Sequence, residues 1–325
     1  MNAEPAPPPP TRPAADVHID GELVQALLRA QCPELAGLGL EFLDDGWDNV
    51  IYRLGPEYAV RLPRRESAHV LLLREVRWLP FLAPRLPLPV PVPVHRGKPG
   101  EGYPYHWAVM RWLPGISAAS VPAVARDGYA STLAAFFRAL HVPAPADAPV
   151  NPVRGVPLRD RDLAARTRME AVAEPQRTGL LELWEQGLAA PERVGPRLWL
   201  HGDPHPHNML ISGAGKAGPR GAEGLGQAVV GTAPEVARLE AVIDFGDLTA
   251  GDPASDLAVA WLHFTPQGRR QLRAGLERHG LYSAGIWERA RAWAVNYAVL
   301  MSSLEDGDPL REVGIHGIEQ LLDEG

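Results

Sequence analysis

The sequence predicts an α+β protein of two lobes, the first β-rich with one key helix and the second mostly helical. Two observations carry this. Between Leu38 and Leu62 short apolar runs alternate with turn residues, the pattern of an antiparallel meander. Beyond Leu113-Pro114-Gly115, which breaks the last such run, apolar residues recur at helical spacing almost to the C-terminus. The break sets the expected division, an N-lobe over 15–113 and a C-lobe over 114–325. Residues 1–14, rich in Pro and Ala, are expected as an extended, disordered tail with little to bury.

Leu23, Ala26, Leu27 and Ala30 share one helical face, which predicts a helix from Asp20 to just before Pro33. Strands follow at 38–43 and 49–54, joined by the polar turn Asp44-Asp45-Gly46-Trp47-Asp48, and Gly55-Pro56-Glu57 turns into a third strand over 58–62. A period of two places Ala59 and Arg61 on one face of that strand and Tyr58, Val60 and Leu62 on the other. A helix over 67–82, with Ser67 as N-cap and Pro84 as stop, carries Glu75 among apolar neighbours. The prolines of 84–93 exclude a central strand and predict an edge or polyproline segment, after which 106–112 reads as a strand.

Helices are expected at 122–141, 158–172, 180–190, 253–264, 266–279, 284–304 and 309–322. Two short β segments, 209–212 and 241–245, interrupt them. Between these lies 213–239, rich in Gly, Ala and Pro, which reads as a mobile hairpin insertion with at most a weak strand at 227–230.

With 46% hydrophobic and 22% charged residues, the 325-residue chain has the composition of an ordinary folded protein. A net charge of −7 argues against nucleic acid or an anionic membrane as partner, since both require clustered Lys and Arg. Cys32 is the sole cysteine, so disulfide frameworks and cysteine-rich zinc sites are excluded. No apolar run reaches the roughly 18 to 20 residues of a membrane span, and no signal-peptide pattern opens the chain. A soluble, cytoplasmic protein is expected.

The chemistry concentrates in His201-Gly202-Asp203-Pro204-His205-Pro206-His207-Asn208 and in Ile243-Asp244-Phe245-Gly246-Asp247. An Asp and an Asn five residues apart on one loop, with a second Asp ending an apolar run, suit the steering of a hydroxyl toward a nucleotide phosphate while Mg²⁺ is held. Phosphoryl transfer consists largely of such positioning and charge neutralisation. His201, Asp203, His205 and His207 also alternate in the manner of a zinc metallohydrolase site, but that reading leaves Ala59-x-Arg61, Glu75 and Ile243-Asp244-Phe245-Gly246 without a purpose.

This order of a meander with an Ala-x-basic strand, a Glu-bearing helix, a hinge and the two acidic motifs resembles the aminoglycoside phosphotransferase and choline kinase-like family, relatives of the protein kinases. The resemblance spans roughly residues 38–300. It implies a two-lobed protein-kinase-like fold and a small-molecule kinase, which uses Mg²⁺ and ATP or GTP to phosphorylate a substrate hydroxyl. The implied acceptors include aminoglycosides, macrolides and other amino sugars or amino alcohols.

By the same resemblance Asp203 is the catalytic carboxylate, Asn208 and Asp244 are metal ligands, and His201 and Asp256 support the loop. Arg61 stands where the family often has a phosphate-binding Lys, with Glu75 as its helix partner. Gly46 and Asn49 are placed near the phosphates, and the base against Ala59 and the hinge Arg111-Trp112-Leu113. The Arg at 61 and the single glycine of the turn leave a nucleotide-binding pseudokinase module as the alternative. Glu305, Asp306 and Asp308 would attract an amine-bearing acceptor or mark a solvated helix end. Trp287, Trp293 and Tyr297 would meet an apolar acceptor or pack the core.

Overall fold

The structure, a computed structural model, describes residues 13–212, 236–278, 280, 282 and 285–323. Most of the expected N-terminal tail and the expected weak strand at 227–230 lie outside these. Helix α1 (Gly21–Gln31) begins where the Asp20 carboxylate accepts the Leu23 N–H at 2.9 Å, the cap its sequence requires. Strands β1 (Leu40–Asp45), β2 (Asn49–Leu54) and β3 (Tyr58–Pro63) follow, then helix α2 (Glu66–Leu82) and strands β4 (Pro93–Gly97) and β5 (Trp107–Arg111). They form one antiparallel sheet in the order β1-β2-β3-β5-β4.

The period of two in β3 holds. Val60 and Leu62 are fully buried in a cluster with Leu27 and Leu28 of α1, so α1 covers one face of the sheet. Leu72 and Val76 of α2 pack on Ala108 and Met110, so α2 lies on the other face, which Ala59 and Arg61 share. One detail differs from expectation and one agrees with it. Helix α2 starts at Glu66, with Arg65 rather than Ser67 at the cap; Ser67 Oγ instead accepts from Arg65 Nη1 at 2.8 Å. The proline-rich segment runs into β4, an edge strand whose first residue is Pro93, a position that needs no N–H for the ladder.

The second lobe contains β6 (Ile116–Ser117), α3 (Ala123–Arg126), α4 (Ala130–Leu140), α5 (Asp162–Met169), α6 (Gln176–Ala189), β7 (Leu198–Leu200), β8 (Met209–Ser212), β9 (Arg238–Val242) and β10 (Thr249–Gly251). It ends with α7 (Ala254–Leu257), α8 (Val259–His263), α9 (Pro266–Glu277), α10 (Ile286–Ser302) and α11 (Pro309–Leu322). Strands β6, β8 and β9 form one small sheet, β7 and β10 another. Among the described residues no helix is long and apolar enough to cross a membrane.

The helix expected over 122–141 is broken by a 3₁₀ turn at Asp127–Tyr129. Asp127 there accepts the Thr265 N–H at 3.0 Å at the start of α9, a tertiary contact that local spacing does not encode. Strand β9 starts inside the range expected for the mobile insertion and stops short of Phe245. Its early stop has a backbone cause: Asp244 adopts φ 60°, the left-handed region, which a strand cannot continue through. Three-residue β7 and β10 are too short to show a period, and the sequence reading missed both.

Candidate active site

Pairing of β8 with β9 brings the two acidic motifs together, and the Ile243 N–H donates to the Asn208 carbonyl at 2.9 Å. Gly202, at φ 91°, closes the junction: a Cβ there would lie 2.1 Å from the Asp247 carbonyl oxygen, so only glycine fits. Behind the loop, fully buried Asp256 accepts the His201 N–H on Oδ2 at 2.8 Å and the Gly202 N–H on Oδ1 at 3.0 Å. Its Oδ2 also lies 3.1 Å from His141 Nε2, whose ring meets the Tyr282 hydroxyl through Nδ1.

His201 spans both motifs. Its Nε2 sits 3.0 Å from the Ile243 carbonyl and its Nδ1 accepts the Asp203 N–H at 3.2 Å, a pattern that requires the proton on Nε2. Burial lowers its pKa, which keeps the ring neutral. His263 of α8 anchors the next residue through the Pro204 carbonyl at 2.7 Å. His207 Nε2 lies 3.1 Å from the Pro309 carbonyl. The histidines thus hold loop backbone, and among the described residues no group of three or more His, Cys, Asp or Glu is placed to bind a metal.

From this frame the Asp203 carboxylate projects into the cleft, with its side chain 25% exposed. Its Oδ1 accepts from Arg154 Nη2 at 3.1 Å, and Oδ2 lies 3.4 Å from His205 Nε2. Burial alone would raise the pKa of Asp203; Arg154 and then His205 outweigh it and hold the group ionised, well below the usual range. The Asn208 amide donates to the Asp203 carbonyl at 2.9 Å, which leaves its Oδ1 without a hydrogen bond among the described residues.

Asp244 Oδ1 accepts from Arg61 Nη2 at 3.0 Å while the side chain stays 51% exposed. Burial opposes its ionisation, and the Arg61 charge overcomes this to lower the pKa. Arg61 Nη1 also pairs with fully buried Glu75 Oε2 at 2.6 Å. With its amide oxygen turned toward Arg61, Asn49 accepts from Nε and Nη2 at 3.1 Å each. One guanidinium therefore ties β2, α2 and the Asp244 turn together, a three-way contact that a Lys ammonium could not match in shape.

Glu75 responds to that burial. Desolvation pushes its carboxyl up to about 7, against the pull of Arg61. Among the described residues its Oε1 forms no well-aligned hydrogen bond, although the Phe245 backbone N–H is near enough to favour the charged form. Since the folded protein holds this proton more tightly than the unfolded chain, Glu75 contributes less stability as pH rises from 4.5 to about 7. Glu75→Gln should therefore gain on the wild type in thermal midpoint across that window. A wild-type advantage that grew with pH there would contradict the assignment.

In the β1–β2 turn, the Gly46 N–H is donated to the Asn49 carbonyl at 3.0 Å and the Gly46 carbonyl accepts from Arg64 Nη1 at 3.1 Å. Arg64 also neutralises Asp45 at 2.7 Å, and Arg65 neutralises Asp48 at 2.6 Å, so these acids do not confront a phosphate unbalanced. Ala59 faces the cleft opposite Arg53 and Met110. At the hinge, the Trp112 N–H donates to the Glu57 carbonyl at 2.7 Å and its ring lies 3.9 Å beneath the Arg53 guanidinium. Leu113 follows, half-buried. Arg111 pairs in register with Tyr58, on the α1 face, and its side chain is 66% exposed beside Glu57, turned away from the face that Ala59 and Arg61 share.

Sequence reasoning missed Arg154, Asn151 and the role of Asp247. Asn151 Nδ2 donates to Asp247 Oδ1 at 2.7 Å, and the Gly155 carbonyl accepts the Asp252 N–H at 2.9 Å, so this loop is docked with Arg154 over Asp203. Burial, then Asp203 and Asp244, push Asp247 up to about 6 despite Arg154. Asp247 was visible in its motif. Arg154 sits in a loop with no periodicity or motif to mark it.

Two lobes, a Glu-bearing helix over an antiparallel sheet, and converging acidic motifs define a protein-kinase-like phosphotransferase. The chain matches the phosphotransferase enzyme family over residues 39–220 and 232–293 and belongs to it. It is accordingly an enzyme of the class that phosphorylates an alcohol group. No curated protein sequence matches it. Among solved structures it is similar to aminoglycoside 2'-phosphotransferase-IIIa in complex with GDP, at 20% identity and a TM-score of 0.65, covering 93% of this chain and 98% of that one. The apoenzyme of macrolide 2'-phosphotransferase MphH from Brachybacterium faecium aligns at 21% identity and a TM-score of 0.57, covering 91% and 97%. ADP-bound aminoglycoside phosphotransferase APH(2'')-Ib aligns at 19% identity and 0.55, covering 94% and 97%. At these identities the likeness shows the fold.

Proposed function

We propose that the protein transfers the γ-phosphate of ATP or GTP, with Mg²⁺, to a hydroxyl of a small molecule, using 15–113 to hold the nucleotide and 114–325 to hold the acceptor. The observation that carries this is the meeting of Asp203, Asn208 and Asp244 at one mouth, with Arg61 and Glu75 on the opposite wall. Asp203 is ionised and exposed enough to take a hydrogen bond from an acceptor hydroxyl and orient its oxygen toward the phosphate.

The residues fit Mg²⁺, a hard cation that takes oxygen ligands. Among the described residues Asn208 Oδ1 has no hydrogen bond, and the half-exposed Asp244 carboxylate is kept charged by Arg61. These two would hold the ion, which when bound neutralises charge on the β and γ phosphates. His201 and Asp256 fix the loop that presents Asp203. Arg61 would exchange part of its contact with Asp244 for a nucleotide phosphate, and Ala59 with the hinge backbone would receive the base.

Asp244→Asn is expected to weaken binding of Mg²⁺-nucleotide by about tenfold or more, since even partners outside the ligand shell cost that much in metal affinity. Titration calorimetry with Mg²⁺-ATP and Mg²⁺-GTP reads this. Unchanged affinity would remove Asp244 from the metal site.

For the acceptor, aminoglycosides, macrolides and other amino sugars or amino alcohols are the starting panel, because relatives of this fold carry the first two in their names. Of the two readings of Glu305, Asp306 and Asp308, the solvated helix end fits better. Asp308 caps α11 by accepting the Leu310 N–H at 2.8 Å, and Asp306 is 94% exposed beside Arg311. Trp287, Trp293 and Tyr297 are all buried in the helical core, and Tyr297 also lies beneath the Arg154 guanidinium.

A further inference from the structure

We propose that the acceptor carries an anionic group, a carboxylate or phosphate, held by Arg161 and Arg168 beside Arg154 at the catalytic loop; this rests on the phosphotransfer reading above. Arg161 is the N-cap of α5, seven residues before Arg168, which shares a face of that helix with buried Ala165. That face looks onto α10, where Arg168 Nη1 donates to Asn296 Oδ1 at 3.2 Å. The next residue on α10, Tyr297, lies with its ring 4.8 Å beneath the Arg154 guanidinium. Arg154 in turn reaches Asp203 at 3.1 Å. A chain of contacts thus leads from the proposed catalytic carboxylate to Arg168, and Arg161 is near enough to oppose the charge of Arg168.

Arg154 is paired with Asp203, and the more distant Asp247 adds to its balance, whereas the other two cations are not compensated among the described residues. Arg168 contacts a neutral amide, and neither it nor Arg161 forms an ion pair among the described residues. They are not simply solvated either: the Nε atoms of Arg154 and Arg161 are buried without a hydrogen-bond partner. Burial, and then the charges of Arg161 and Arg154, work against the charged form of Arg168. Half-buried guanidinium groups that repel one another, with donors left open, form a receptor for a planar or tetrahedral oxyanion, which Arg grips through paired N–H donors. The arrangement is hostile to a polycationic aminoglycoside, whose ammonium groups would add to the repulsion.

The test compares the wild type with Arg161→Gln/Arg168→Gln, and with Arg161→Gln alone in case the double variant folds poorly. Thermal midpoints are measured with Mg²⁺ and a non-hydrolysable ATP analogue, in sodium sulfate against sodium chloride at equal ionic strength. Sulfate is expected to raise the wild-type midpoint by more than it raises that of either variant. Phosphorylation assays then set gluconate against glucose, glycerate against glycerol, and glycerol phosphate against glycerol, with kanamycin as the cationic control.

An anionic partner should exceed its neutral counterpart by tenfold or more in kcat/KM, through KM, and the substitutions should erase the difference. The carboxylate and phosphate pairs identify which anion the site takes. Equal sulfate response in wild type and variants, or preferred phosphorylation of the neutral or cationic compounds, would overturn the proposal. Failure of the nucleotide analogue to stabilise the wild type would instead refute phosphotransfer, while the sulfate comparison still decides the anion site.

Discussion

Asp203→Asn is expected to lower turnover by about 10² or more, the lower range for removal of a general base or orienting carboxylate, while Mg²⁺-nucleotide affinity stays near that of the wild type. The two halves of this expectation have separate causes. The carboxylate is held ionised by Arg154 and His205, and an amide of the same shape can neither draw the acceptor proton nor balance Arg154. The nucleotide wall is built elsewhere, from Arg61, Glu75, Asn49 and Asp244, and no hydrogen bond between Asp203 and these residues is needed to assemble it. Steady-state rates on a true acceptor, paired with calorimetry on the nucleotide, check both halves. Full turnover in the variant would show that Asp203 does not carry the step.

The parts of this molecule legible in its sequence are those in which local pattern and tertiary need coincide. Strand β3 shows its period of two because one face meets α1 and the other the cleft, so Arg61 can be placed on the site face beforehand. The two acidic motifs are recognisable because their chemistry constrains residue type at fixed spacing. What stayed hidden depends on contacts between distant segments. The 3₁₀ break at Asp127 is set by Thr265, more than a hundred residues away. β9 ends early because Asp244 turns into the left-handed region, which an apolar run does not announce. Arg154 reaches Asp203 only because Asn151 and Gly155 dock their loop on Asp247 and Asp252. Sequence spacing therefore marked Asp203, Asn208, Asp244 and Arg61 but not Arg154, on which the proposed acceptor site depends.

Asp256→Ala is expected to destabilise the fold by about 3 to 5 kcal/mol, the range for removing one partner from a buried charged network. The carboxylate is fully buried and receives two adjacent backbone N–H groups, those of His201 and Gly202, as well as facing His141. Alanine leaves both amides and one imidazole nitrogen without partners, and a methyl group cannot supply the acceptors they lose. Water cannot easily take their place, because Gly202 is already packed against the Asp247 carbonyl. The strain should pass directly to Asp203, whose N–H is tied to the His201 ring. Activity is thus expected to fall together with the denaturation midpoint, unlike in Asp203→Asn, where turnover falls in a stable protein. Asp256→Asn, which keeps one acceptor oxygen but turns an NH₂ toward the second donor, should fall between. Chemical denaturation of the three proteins, alongside hydrogen exchange at the His201 and Gly202 amides, separates the cases. Wild-type protection of those amides in Asp256→Ala would mean that the loop is held by something other than this carboxylate.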